Sequence, residues 1–305
     1  MGQSTRQSSI GRAWAIGIVT CACLLLASTA HAQSREDGAP AESLGVGDTT
    51  RANAWGGGAI YLNPAALMRV NVLVVETAYS YLDGKDGHNF GLSVVDAKTN
   101  PDLALGTAYN YFTTAPGGVD RDGSQFRLAL ATGYRSDDVH LYAGIGVRWL
   151  DLAIGRDDDD DGVTENDDIN SWTADAGLLL EFDRKIRFAV VGQNLIDTKT
   201  SEAPRILGLG MAFVFGTLDV SANLDMDISS ESSRVVSTWG LGADLTVLEA
   251  AHLRAGFIRD EVYDAERMAF GLGWTSTDVA IDLGYATNIA DPTEMTFAVS
   301  IRYVP

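Results

Sequence analysis

The sequence predicts an all-β protein, a transmembrane antiparallel up-and-down β-barrel of about fourteen strands with a short N-terminal hatch in its lumen. Three observations predict it. Apolar and polar residues alternate with period two along most of the chain after residue 70, connections alternate between long and short, and the one long apolar run stands at the extreme N-terminus.

Residues 1–32 carry Arg6 and Arg12, an apolar run over 13–26, and the small-residue pattern Ala30-His31-Ala32 before Gln33. This reads as a secretory signal peptide cleaved after Ala32, and so as export by the general secretory route. The run is short for a helix crossing about 30 Å of hydrocarbon. Cys21 and Cys23, the only cysteines, fall inside it, which leaves the mature chain without a disulfide framework. Cleavage removes two arginines and no acids, moving the formal charge from −19 to −21. A chain this acidic is a poor partner for nucleic acid. Residues 33–52 are polar without an apolar period and read as a flexible periplasmic arm.

Residues 53–70 read as the hatch. Their centre is GGGAIYLNPAAL at 56–67. The glycines permit close backbone approach, and Pro64 fixes its own φ while pushing Asn63 out of helical geometry.

Residues 71–305 read as the barrel. The clearest strand is 139–150, where Val139, Leu141, Ala143, Ile145, Val147 and Trp149 alternate with His140, Tyr142, Gly144, Gly146, Arg148 and Leu150. The same split predicts strands over 71–81, 89–96, 103–113, 124–134, 139–150, 171–182, 186–195, 205–214, 218–227, 234–248, 253–259, 267–275, 279–286 and 294–303. Alternation alone also fits a soluble sandwich. The connections separate the two cases. Those after odd strands are long and polar, as in DLAIGRDDDDDGVTENDDIN, and those after even strands are mostly tight, as in DRK, FGT and STD, with AKTNPD the longest. Long loops at one end and short turns at the other are the form of an outer-membrane barrel. Tyr79, Tyr81, Tyr109, Tyr111, Trp149, Trp172, Trp239, Trp274, Tyr285 and Tyr303 fall mostly near strand ends, as interface girdles do.

With the apolar face toward lipid, the other face lines the lumen. It carries Glu76, Arg127, Arg148, Asp175, Glu181, Asp219, Asp225, Asp244, Arg267 and Asp282. Charges of both signs argue against a strongly ion-selective ring. Inward glycines at 144, 146, 208, 210, 240, 242, 271, 273 and 284 leave room for the hatch.

A processed N-terminal arm, a glycine run, AIYLNPAAL and fourteen predicted strands together resemble the FadL/PorV superfamily of Gram-negative outer-membrane barrels, which includes long-chain fatty acid transporters. The superfamily's hatch element falls on Asn63, Pro64 and Ala65, and GQNL at 192–195 is similar to a motif of PorV-like members. The resemblance implies residence in the cell outer membrane, against lipid and lipopolysaccharide, and passive transport of small hydrophobic or amphipathic molecules. The alternative it carries is a non-transporting, secretion-associated barrel whose loops dock a surface or secretion partner protein. The acidic loops depart from the apolar capture groove expected of a fatty acid transporter.

The acidic loop at 157–168 fits the D-x-D-x-D-G pattern, with Asp157, Asp159, Asp161, Val163, Glu165 and Asp168 in ligand positions and Gly162 at the turn. Two readings stand: a solvated acidic loop, or weak calcium binding. No other cofactor is indicated. His88, His140 and His252 lack metal-ligand spacing or a partner serine in sequence, so the chain reads as a non-enzyme.

Overall fold

The computed structural model describes residues 39–305 except 84–85, 116–119, 157–164, 167, 199, 201–202, 230–235 and 262–263. Fourteen strands form the wall: β1 Leu73–Leu82, β2 Gly87–Asp96, β3 Ala104–Thr114, β4 Arg121–Arg135, β5 Val139–Arg156, β6 Ile169–Phe182, β7 Ile186–Gln193, β8 Ile206–Phe215, β9 Leu218–Asp227, β10 Val236–Val247, β11 Ala251–Asp260, β12 Ala265–Thr275, β13 Val279–Asn288 and β14 Met295–Tyr303. Each pairs antiparallel with its sequence neighbours, and β1 pairs with β14 with Val75 opposite Tyr303. The sheet is therefore closed, and no edge is left open to aggregation. A two-residue ladder, Glu165–Asn166, pairs with Gly155 and Arg156 beyond the rim.

The alternation decides which side each residue faces. Along β5, Leu141, Ile145 and Val147 are exposed outside while Tyr142, Arg148 and Leu150 are buried inside. The outer surface is a band of exposed apolar side chains, including Phe90, Leu92, Leu178, Phe270 and Leu272. Trp149 lies opposite Trp172 near the loop ends, their rings 6.4 Å apart, and Trp274 and Tyr303 lie toward the turn ends.

Two short connections show why the turns are tight. Asp183 and Arg184 both adopt positive φ, as do Leu248 and Glu249, the backbone that matches the twist of a two-residue hairpin. One strand is shorter than its sequence pattern. The pattern extends to residue 195, yet β7 stops at Gln193 because Asn194 turns to φ 54°. Leu195 still donates its N–H to the Ala174 carbonyl at 2.8 Å, so the wall remains tied there.

Residues 39–52 correct an expectation. The arm read as flexible is, over these residues, folded inside the barrel, with α1 (Ala41–Gly45) packed against β12, β13 and β14 and with Ala41, Val46, Thr49, Arg51 and Ala52 buried. Its sequence has no apolar period because its burial depends on individual hydrogen bonds and glycine gaps in the wall, not on an amphipathic face. The preceding residues, 33–38, and the signal-peptide reading of 1–32 lie outside the described residues.

Candidate functional site: the hatch and the lumen wall

The N-terminal segment crosses the lumen as α1, then a turn, then α2 (Gly56–Leu62), then a 3-10 turn (Pro64–Met68). Asn63 joins the last two. Its extended backbone, φ −162°, stops α2, and Pro64 starts the next turn without needing a donor. The Asn63 side chain accepts from the Ala65 N–H at 3.1 Å and donates Nδ2 to the Arg51 carbonyl at 3.1 Å. Asn63, Pro64 and Ala65 are all buried.

Glycines make the space. A Cβ on Gly177 of β6 would collide with Asn63 Oδ1, and one on Gly144 of β5 with the backbone of Pro64 and Ala65. The inward glycines extend beyond what residues 56–67 fill. Gly208 and Gly210 sit against Arg51, Gly240 and Gly242 against Thr49, and Gly284 against Ala41. Those glycines were the one sequence signal that residues 41–52 also lie inside.

Arg51 is the residue that sequence reasoning missed. It is 0% exposed, and its Nε and Nη2 reach Asp225 Oδ1 and Oδ2 at 2.6 and 2.8 Å in a bidentate pair. Nη2 also donates to Gln193 Oε1, and Nη1 donates to the Leu62 carbonyl, both at 2.8 Å. The guanidinium thus binds the wall and both halves of the hatch at once. Tyr61 donates its hydroxyl to Asn110 Oδ1 at 2.7 Å, and the hydroxyls of Thr49 and Ser221 are 2.7 Å apart.

The ten lumen candidates all lie on inward positions, with separate surroundings. Glu76 accepts the Gly57 N–H at 3.1 Å and the Arg302 guanidinium at 3.1 Å, placing a carboxylate at the positive end of α2. Asp282 accepts from Arg254 at 2.6 Å, and Asp244 from the same arginine at 2.7 Å. Glu181 accepts from Arg187 at 2.5 Å and lies 3.0 Å from His140. Arg127 stands opposite Arg148, 3.6 Å from Asp175 and over the Tyr61 ring. Arg267 lies 3.6 Å from Asp260 toward the loop end, and Asp219 faces Asn53 Nδ2 at 3.5 Å. Of the calcium-loop candidates, Asp157, Asp159, Asp161, Val163 and the Glu165 side chain lie outside the described residues; Asp168 is exposed just before β6.

Glu42 of α1 gives the hatch a pH dependence. Burial alone would raise its carboxyl, but the guanidinium groups of Arg302, 2.8 Å away, and Arg254 outweigh that and hold it at about 2, below its ordinary 4.5. The stabilisation is complete above pH 4.5 and is lost as pH falls through 2. We expect pepsin to leave residues 41–68 intact at pH 4 and to cut them increasingly toward pH 2, with Glu42→Gln reducing that pH dependence.

These features define a closed fourteen-stranded barrel with its own N-terminal segment packed in the lumen. No protein-family model matches the chain, and no curated protein matches its sequence. Among solved structures it is similar to the CymD monoaromatic hydrocarbon channel, with TM-score 0.63 and 13% identity over 88% of this chain and 98% of that one. It is also similar to the Pseudomonas putida toluene transporter TodX, with TM-score 0.58 and 14% identity over 91% and 99%. At these identities the likeness is one of fold.

Proposed function

We propose that the protein is a FadL-like barrel of the Gram-negative outer membrane that passes small hydrophobic or amphipathic molecules passively, with the segment around Asn63, Pro64 and Ala65 as its gate. One observation carries the reading: a lumen filled by a segment of the same chain that polar contacts hold in place. Hydrogen bonds contribute about 1 kcal/mol each net, so such a segment is seated firmly yet reversibly. The apolar outer band supports contact with lipid and lipopolysaccharide, since exposed apolar surface of this extent is unfavourable in water. The fold shared with two hydrocarbon channels supports a hydrophobic ligand. The loop-docking alternative has no observation in its favour among the described residues.

Lipopolysaccharide is the barrier to apolar solutes in such a membrane, so the test uses intact cells. Gram-negative cells lacking other hydrocarbon channels are compared with and without this chain for uptake of radiolabelled toluene. Faster uptake with the chain is expected; equal rates would contradict the proposal.

A further inference from the structure

Beneath the hatch, at the turn end, lies a chamber of about 340 Å³, bounded by Gly216 and Thr217 of the β8–β9 turn and roofed by Trp55. This falls in the size range of small-molecule pockets. Its lining is not that of a hydrocarbon site. Four carboxylates, Glu42, Asp219, Asp244 and Asp282, face three guanidinium groups, Arg69, Arg254 and Arg302, and the His252 imidazole.

The cations are already engaged. Arg302 serves Glu42 and Glu76, and its guanidinium stacks 3.9 Å from the Trp55 ring centroid. Arg254 serves Asp244 and Asp282. Arg69 donates to the hatch carbonyls of Ala54 and Asn53 at 3.0 and 2.6 Å. Asp219 differs from the other acids: its contact is the neutral Asn53 amide at 3.5 Å, with no ion pair among the described residues. His252 lies 3.1 Å from Asp244, which leaves Asp219 as the carboxylate with room to accept a further donor.

We infer that this chamber binds small organic cations through Asp219, so that the ligands handled at the turn end include protonated amines with an apolar body. An ammonium group supplies the donors and the charge that Asp219 lacks, and Val46 and Val214 of the lining suit an apolar body. The inference deepens the transport reading and rests on it for its meaning as an exit site, but the binding is measurable without transport.

The test is calorimetric titration of the purified full barrel in detergent at pH 7 with benzylammonium chloride and, separately, sodium benzoate. Saturable binding of benzylammonium and none of benzoate is expected. Asp219→Asn should weaken benzylammonium binding roughly tenfold or more, and Asp219→Lys should transfer the preference to benzoate. Circular dichroism checks that each variant keeps its barrel; should the lysine variant not assemble, Asp219→Asn alone decides. Absence of benzylammonium binding, equal binding of both ions, or unchanged binding in Asp219→Asn would overturn the inference. Benzylammonium binding together with no gain in toluene uptake would instead overturn the transport reading and leave the chamber assignment standing.

Discussion

Arg51→Ala opens the barrel. The substitution leaves Asp225 without its bidentate partner and removes the bonds to Gln193 Oε1 and the Leu62 carbonyl. Breaking one side of a buried ion pair costs about 3 kcal/mol or more, which moves a closed-to-open ratio by roughly a hundredfold. The wall ladders do not involve Arg51, so the strands survive. The expected result in planar bilayers is a large rise in open probability over the parent barrel, with residues 41–68 becoming susceptible to protease. Conductance and protection equal to the parent would show that Arg51 is not the clasp. Replacing both partners, as Arg51→Met with Asp225→Leu, should recover much of the protection, because the cost lies in leaving one charge unpaired.

Gly177→Ala produces the second large effect by a different route. The new side chain would enter the space held by Asn63 Oδ1 and the Pro64 ring. Overpacking of this kind costs about 1–3 kcal/mol, and the hatch, which is not part of the ladder, yields before the sheet does. The same conductance assay should report a leaky barrel. Gly146→Ala is the matched control. It is also an inward glycine of the same region, but an added Cβ there meets its nearest neighbour at an ordinary 3.5 Å. A silent Gly146→Ala beside a leaky Gly177→Ala supports glycine as a seat for the hatch, whereas equal effects would show that the space beside Gly177 is not what seats it.

The wall was legible because its physics is periodic. Lipid-like and lumen-like sides alternate at every residue, so 139–150 announces itself, and β5 simply continues to Arg156 beyond the point where Asp151 breaks the apolar face. The end of β7 was not legible, since Asn194 leaves the ladder through a left-handed backbone that other residues reach less readily. The backbone break at Asn63-Pro64, where α2 ends and the 3-10 turn begins, was legible. The first half of the same segment was not, because Thr49, Arg51 and Asn53 are polar residues buried by specific partners. Arg51 needs Asp225, which is 174 residues away. Only the wall's glycines, too many for residues 56–67 alone, pointed to it. The acidic loop keeps both of its readings, as the side chains of its ligand positions other than Asp168 fall outside the described residues.

The halves of the hatch are tied together by the Arg51–Leu62 and Asn63–Arg51 bonds, so holding one half holds the other. Thr49 and Ser221 supply the place to do it, with hydroxyls 2.7 Å apart across the hatch and β9. Thr49→Cys with Ser221→Cys sets two sulfurs where a disulfide can join the segment to the wall. Toluene uptake by cells carrying this variant is then measured oxidised and after reduction. Uptake is expected to fall to the level of cells without the barrel while the disulfide is closed and to return on reduction. Undiminished uptake through the locked barrel would contradict the claim that this segment is the gate.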